Sequence, residues 1–215
     1  MRAIATVLLL ITGLAALVAP PTYASSSGST ASGAGSGPVT AIKVVRPVTT
    51  AGTPAPGWTV HRERGRATCD EASVSAVRAG IVSCSPSAAY LPACWRSGHH
   101  TVLCLRDPLK HTLVRMRYAG TFPQVAKPAT PTPLAMTLFD GQGCQLRVGG
   151  AWAAPKDHPR WVGYYSCDDG GDVYGPRRDD GVIRTRPLWW VREVYDLKTV
   201  HHRAVRTAYL VGTAH

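Results

Sequence analysis

The sequence predicts a mainly β fold: a small antiparallel β domain, or two packed together, stapled by disulfides. Three observations lead to this prediction. Apolar and polar residues alternate through segments rich in aromatic and β-branched side chains, which is typical of strands. Asp-Gly pairs, which suit tight turns, separate several of these segments. Six cysteines follow a leader-like N-terminus, and an even count in an exported chain predicts three disulfides.

The chain begins with the pattern of a secretory leader. Arg2 precedes an apolar run that ends at Ala19, and Thr22-Tyr23-Ala24 supplies small residues for cleavage after Ala24. We therefore expect residues 1–24 to be a signal peptide and the protein to be secreted or associated with the cell envelope. An uncleaved N-terminal membrane anchor is the minor alternative, because the run is barely long enough to span a bilayer. No later segment is apolar enough to do so.

Composition divides the remaining chain into four parts. Residues 25–57 are rich in Ser, Gly, Thr and Pro and predict a flexible linker, although Ile42, Val44 and Val45 form an apolar patch that could dock as an edge strand. An N-terminal lobe with four cysteines covers residues 58–120. A proline-rich crossover, residues 121–133, excludes helix and central strand and leads to a C-terminal lobe, residues 134–215.

The C-terminal lobe reads as a β-meander. Its strand-like segments are residues 134–139, 144–148, 161–167, 188–195 and 205–211. Asp140-Gly141, Asp169-Gly170 and Asp180-Gly181 fit type I′ turns, in which both central residues have positive φ. The N-terminal lobe is less regular: two strand-like segments end it, and residues 70–79 have a spacing that fits one short helix or a strand.

Sequence alone leaves fifteen pairing patterns open for the six cysteines. The preferred pairs are Cys69–Cys104, Cys84–Cys94 and Cys144–Cys167. Each such bridge typically stabilises a fold by about 2–4 kcal/mol.

Two groups of residues are candidate metal ligands. Five aspartates lie between residues 164 and 181, but their spacing fails the EF-hand pattern, which leaves an irregular calcium site formed by Asp168, Asp172 and Asp179 as an alternative to simple turn residues. The segment from Cys94 to Cys104, with two histidines between them, resembles a zinc site. Oxidation of both cysteines in an exported chain would remove them as ligands.

No established catalytic or cofactor motif is present, so we predict no catalytic residue and no cofactor. Trp152, Trp161, Trp189 and Trp190 are candidates for a sugar- or peptide-binding face, with burial in the core as the alternative. Trp189 and Trp190 are neighbours on one predicted strand and must point to opposite sides.

Charge suggests the kind of partner. Without Arg2, the chain carries 23 basic and 13 acidic residues, which favours anionic partners. No run of three basic residues occurs, so we expect no nucleic acid. The candidate partners are a protein or an anionic envelope polymer or lipid, and the oligomeric state stays open. Arginine outnumbers lysine 19 to 5 and asparagine is absent, as GC-rich bacterial genomes favour.

Residues 69–214 resemble a family of secreted six-cysteine proteins of mycobacteria and related actinobacteria. The stretches that carry the resemblance are SCSPSAA, TVLCLRDP, GCQLRVGGAW, HPRWVGYYSC, GVIRTRPLWWV and AYLVGTA. The resemblance implies an exported, disulfide-bonded domain and carries over no catalytic or binding residue.

The leading hypothesis for function is a secreted or envelope-associated, non-catalytic domain that binds a protein or an anionic envelope component. An extracellular hydrolase is the first alternative and predicts a cleft that holds a histidine beside a carboxylate. A metal-dependent binding domain is the second, and it predicts that the side-chain oxygens of Asp168, Asp172 and Asp179 converge.

Overall fold

The computed structural model describes residues 37–88 and 90–215, and the regular elements of this part are all β-strands. The predicted signal peptide and the first part of the predicted linker lie outside the described residues. The strands are β1 (Ala41–Val45), β2 (Thr59–Ala72), β3 (Val82–Ser85), β4 (Leu91–Arg96), β5 (Thr101–Asp107), β6 (Thr112–Ala119), β7 (Ala135–Leu138), β8 (Gly143–Leu146), β9 (Trp161–Cys167), β10 (Asp172–Pro176), β11 (Val182–Ile183), β12 (Trp189–Tyr195) and β13 (Thr199–Val211). The predicted mainly β fold class is confirmed.

Two barrels organise these strands. The first consists of β2 to β6 in chain order, with antiparallel neighbours and a closing parallel pair between β2 and β6. The second is an antiparallel ring of β7, β8, β9, β10, β12 and β13, which closes where β12 pairs with β13. At its margins, β1 runs parallel to the second half of β13 and β11 pairs with β12.

Three apolar clusters form the core. One belongs to the first barrel and contains four of the cysteines together with Val114 and Met116. A second belongs to the second barrel and surrounds Tyr165 and the other two cysteines. The third contains Trp95, Leu103 and Leu113 of the first barrel with Val211 of β13, so it joins the two barrels. Strand alternation explains the split, because successive residues of one strand serve different clusters.

The helix considered for residues 70–79 does not form. Asp70 to Ala72 complete β2. The next residues form a single local turn, in which Ala76 N donates to Ser73 O at 3.2 Å, and pair with the C-terminal strand: Val77 N donates to Val211 O at 3.0 Å, and Val211 N donates to Ser75 O at 3.0 Å. Long-range pairing therefore overrides the weak local preference for helix.

The described part of the expected flexible linker, residues 37–57, is ordered. β1 pairs with β13, and Val45 and Val48 are buried in the cluster between the barrels. The apolar patch on which the alternative of a docked edge strand depended is the segment that pairs.

The cysteines pair as Cys69–Cys84, Cys94–Cys104 and Cys144–Cys167. The last pair agrees with the preferred pattern, whereas Cys69–Cys104 and Cys84–Cys94 were wrong. The reason is strand register. Cys94 on β4 lies directly opposite Cys104 on β5, and the β2–β3 hairpin brings Cys69 to Cys84. The sulfur atoms of Cys84, Cys94 and Cys104 lie within 4.8 Å of one another. Which two of them bond is decided by strand register, and the positions of the cysteines in the sequence do not reveal that register.

Candidate functional site

The outer wall of the first barrel has an apolar half and an arginine half. Along β6, Leu113 packs in the cluster between the barrels, while Val114 and Met116 pack inside the first barrel. Residues two apart on a strand share a face, so Arg115 and Arg117 lie on the outer wall with Leu113. The apolar half is covered by the rest of the protein, and the arginine half is left at the surface.

β2 supplies a second row of arginines to the same wall. In the parallel pair between β2 and β6, Arg62 lies opposite Arg115, and Arg66 lies opposite Arg117. The two arginines are four positions apart along β2 but only two positions apart along β6, so β2 contains an irregularity between them. Gly65 lies in this irregularity with a φ of +107°, which residues with a side chain rarely adopt. This backbone bend places Arg66 in register with Arg117.

We call Arg62, Arg64, Arg66, Arg115 and Arg117 the arginine face. No carboxylate oxygen of the described residues lies within 4.0 Å of any of the five guanidinium groups. The nearby Glu63 pairs with Arg106 at 2.7 Å instead. Like charges directly opposite each other destabilise a sheet. The fold therefore maintains two arginine pairs whose charge nothing in the described chain compensates.

A cavity of about 320 Å³ lies at one end of the arginine face. Its lining includes Arg66, Arg117, His99, His100 and Tyr118. The backbone carbonyl of His100 accepts a hydrogen bond from Tyr118 N at 3.2 Å, which ties the histidine loop to β6. Two guanidinium groups and two imidazoles thus border one recess, and this arrangement is suited to an anionic group.

The same histidines belong to the zinc-like segment of the sequence. Cys94 and Cys104 form a disulfide, so neither sulfur is a thiolate ligand. The His99 and His100 rings lie edge to face with centroids 4.3 Å apart. Sets of three potential ligand atoms within 4.8 Å occur twice among the described residues, and both consist of disulfide sulfurs, once with Glu193.

Asp168, Asp172 and Asp179 do not converge. Asp168 Oδ2 accepts a hydrogen bond from Gly143 N at 3.2 Å, Asp172 begins β10, and Asp179 Oδ1 accepts one from Gly181 N at 2.7 Å. No close set of potential ligand atoms in the described part of the chain includes these three carboxylates. The convergence that the metal-binding alternative predicts is therefore not found: the Asp168 carboxylate is turned onto the amide of Gly143 on β8, and the Asp179 carboxylate onto the amide of Gly181 in its own turn.

The Asp-Gly pairs act as turn residues, as predicted, but with a different geometry. Gly141, Gly170 and Gly181 have φ values of +97°, +87° and +79°. The preceding aspartates do not have positive φ; their carboxylates accept hydrogen bonds from the amide two residues ahead. Each aspartate thus forms an Asx-turn beside a left-handed glycine instead of a type I′ turn. The Asp196-Leu197 turn between β12 and β13 does have two consecutive positive φ values, +50° and +56°.

A buried carboxyl group that sequence reasoning missed lies in the second barrel. Glu193 is 0 % exposed, and its carboxylate oxygen lies within 4.8 Å of both sulfurs of Cys144–Cys167. Arg203 Nε is 3.1 Å from Glu193 Oε2, without the alignment of a hydrogen bond. Burial raises the pKa of Glu193 above its usual value, and the charge of Asp169 adds to the rise.

Other polar groups surround Glu193. Tyr195 and Gln142 donate hydrogen bonds to Asp169 Oδ2, and Gly171 N donates to Asp169 Oδ1 at 3.0 Å. Burial opposes ionisation of Asp169, but these hydrogen bonds prevail and lower its pKa. Burial, with the hydrogen bond to Asp169, raises the pKa of Tyr195 to about 12. Glu193 has no exposed surface through which it could reach a substrate, so we assign this network a structural role.

The burial of Glu193 could have been predicted from the sequence. Val191 and Glu193 are two residues apart on β12 and share the buried face. A carboxylate at an inward position of an alternating strand is a warning of a buried acid.

The four candidate tryptophans are dispersed. Trp189 packs against the core of the second barrel, while its neighbour Trp190 lines a surface recess with His202, so the two point to opposite sides as predicted. Trp152 covers Gly163, where an added Cβ would lie 1.9 Å from its ring. Trp161 stacks on His158 with ring centroids 3.7 Å apart. They do not form one continuous binding face.

No protein-family model, curated protein or solved structure matches the chain. In the part of the chain that the structure describes, none of the elements is a helix of the length and apolarity needed to cross a membrane.

Proposed function

We propose that this protein is an exported, non-catalytic binding domain whose arginine face holds an anionic polymer of the cell envelope. The observation that carries the proposal is the register of β2 and β6, which sets Arg62 beside Arg115 and Arg66 beside Arg117, with no carboxylate oxygen of the described residues within 4.0 Å of these arginines. Guanidinium groups bind phosphate and carboxylate through two parallel hydrogen bonds, so paired arginines suit a chain of such groups.

The geometry favours a polymer over an isolated anion. Arg115 and Arg117 are two residues apart on one strand, which separates the two arginine pairs by about 7 Å. Anionic groups repeated along an extended chain can therefore meet successive pairs. The cavity beside Arg66 and Arg117 adds the imidazoles of His99 and His100 as further hydrogen-bonding groups next to the arginine face.

Export is part of the same proposal. Three disulfides are compatible with an oxidising compartment outside the cytosol. The leader-like N-terminus supports the same destination. In that compartment a basic protein meets phosphate- and carboxylate-bearing polymers at high density, and electrostatic attraction would hold it at the envelope.

Binding of poly(glycerol phosphate) to residues 25–215 tests this proposal. We expect binding that weakens as NaCl concentration rises, because each contact displaces a counterion. Arg66→Gln with Arg117→Gln should weaken it by about tenfold, since two exposed charge contacts of about 0.7 kcal/mol each are lost. Lys156→Gln with Lys198→Gln removes two exposed charges from the second barrel and serves as the matched control. Equal loss in both double variants would reduce the effect to net charge and overturn the assignment of the site.

Three further probes distinguish partners of other classes. Binding of polygalacturonate would show that carboxylate groups can replace phosphate groups, and this result agrees with the proposal. Stronger binding to phosphatidylglycerol vesicles than to the polymer would instead identify a lipid surface. Stronger binding to single-stranded DNA would contradict both the proposal and the expectation that nucleic acid is not a partner.

A further inference from the structure

A second cationic site lies on the other barrel, in a cleft of about 440 Å³. The register of β9 and β10 places Trp161 opposite Pro176, so the loop that enters β9 and the loop that leaves β10 face each other across this opening. The lining residues are Asp157, His158, Pro159, Arg160, Trp161, Pro176, Arg177 and Arg178. The volume lies within the range of small-molecule sites.

One wall of the cleft is flat and largely apolar. The rings of Trp161 and His158 are stacked with an interplanar angle of 4°. The guanidinium group of Arg192 lies over the Trp161 ring, 5.3 Å from its centroid. Arg192 itself is not among the residues that line the cleft, so its contact fixes the Trp161 ring from outside the opening.

The arginines of the cleft are not neutralised by the aspartates that follow them in the sequence. Asp179 accepts a hydrogen bond from Gly181 N at 2.7 Å, and both carboxylate oxygens of Asp180 bind Arg184. Within the described chain, Arg177 and Arg178 have no carboxylate oxygen within 4.0 Å.

Arg160, on the opposite loop, also has no carboxylate oxygen of the described residues within 4.0 Å. Asp157 is the one acidic residue of the lining, against three arginines. The cleft therefore presents uncompensated positive charge from both loops.

We propose that this cleft binds a phosphorylated monosaccharide. The arginines of the two loops supply several N–H donors for a phosphate group. The stacked Trp161–His158 pair and the two prolines supply an apolar wall for the C–H face of a sugar ring. This site involves none of the residues of the arginine face, so it does not depend on the polymer proposal.

Calorimetric titration with glucose 1-phosphate, glucose and inorganic phosphate tests the proposal on residues 25–215. We expect glucose 1-phosphate to bind more tightly than either fragment, because only the intact molecule uses both the arginines and the ring wall. Arg177→Gln with Arg178→Gln should weaken this binding at least tenfold, whereas Arg66→Gln with Arg117→Gln should leave it unchanged. Trp161→Leu should reduce the affinity for glucose 1-phosphate to that for inorganic phosphate.

Three results would overturn the proposal. Equal affinity for glucose 1-phosphate and inorganic phosphate would mean that the cleft holds any small anion. Binding that survives the loss of Arg177 and Arg178 but is lost with Arg66 and Arg117 would assign the ligand to the arginine face. No binding of glucose 1-phosphate to a wild-type protein that still binds the polymer would refute this site and leave the proposed function intact.

Discussion

Arg66 lies directly opposite Arg117 in the parallel pair of strands that closes the first barrel. The two side chains share the outer face of the barrel and have no carboxylate partner within the described chain. This relationship carries an energetic cost in the absence of an anion and is the basis of the proposed function.

Replacing Arg117 should therefore stabilise the unliganded protein. Arg117→Gln removes one member of a like-charged cross-strand pair, which is worth about 0.2–1 kcal/mol and should raise Tm by about 1–3 °C at low salt. The gain should shrink at high salt because the repulsion is screened. Differential scanning calorimetry at two NaCl concentrations measures both effects. Arg106→Gln, which breaks the ion pair with Glu63, is the control and should give no gain. A lower Tm for Arg117→Gln at low salt would contradict the interpretation.

Glu193 should make stability fall as pH rises above the usual pKa of a glutamate. Because burial raises its pKa in the folded state, the folded protein binds the proton more tightly than the unfolded chain. The stabilisation is fully present below the unfolded-state pKa and is lost as pH rises through the folded-state value. Thermal melts from about pH 4 to about pH 7 should show this loss as the difference between wild type and Glu193→Gln. A difference that stays constant with pH would show that Glu193 titrates normally.

Tyr195 should ionise only near pH 12. Burial and the hydrogen bond to Asp169 stabilise the neutral phenol and raise its pKa to about 12. Asp169→Asn should move that pKa back toward the usual value of about 10. The measurement is the alkaline titration of tyrosinate absorbance, with Tyr195→Phe subtracted to isolate one residue. An unchanged titration in Asp169→Asn would remove the carboxylate as a cause.

Gly171 should be intolerant of even a methyl group. A Cβ at this position would lie 2.7 Å from Glu193 Oε1 and 2.8 Å from Glu193 Cγ, and this glutamate is fully buried. We expect Gly171→Ala to lower the free energy of unfolding by about 1–3 kcal/mol, as overpacking typically does. Gly175→Ala is the control, since its nearest neighbour would be 3.4 Å away. Chemical denaturation measures the free energy of unfolding of both variants. Equal values would mean that the Glu193 side chain moves aside and accommodates the added methyl group.

Peptide mapping without reduction should recover the pairs Cys69–Cys84, Cys94–Cys104 and Cys144–Cys167. Replacing Cys144 and Cys167 together by serine should cost about 2–4 kcal/mol of stability. Recovery of a peptide that contains a Cys84–Cys94 disulfide would show that the four cysteines of the first barrel pair differently from the structure.

The success of sequence reasoning depended on the range of the interaction. Cys144 and Cys167 were paired correctly because they occupy two neighbouring predicted strands of the meander. The mainly β class and the turn role of Asp140-Gly141 follow from alternation and local backbone preference, which a short window contains. The ordered β1 was left as an alternative because its partner, β13, lies more than 150 residues away.

The arginine face was missed for the same reason. A run of three consecutive basic residues would have indicated such a face, but this chain contains none. Its arginines occupy alternate positions instead: Arg62, Arg64 and Arg66 on one strand, and Arg115 and Arg117 on another. Alternation puts the arginines of a regular strand on one face, so the pattern within β6 was readable. The pairing of β2 with β6 could not be predicted from the sequence, because it depends on a parallel register and on the irregularity at Gly65.

The partners of β13 lie far from it along the chain. This strand closes the second barrel, pairs with β1 and holds the segment around Ser75 and Val77, although more than 120 residues separate it from the last two. A polypeptide synthesised or translocated from its N-terminus presents β1 well before β13. Until residues 199–211 arrive, three distant parts of the protein lack their backbone partners, and a chain truncated before Thr207 never acquires them for β1.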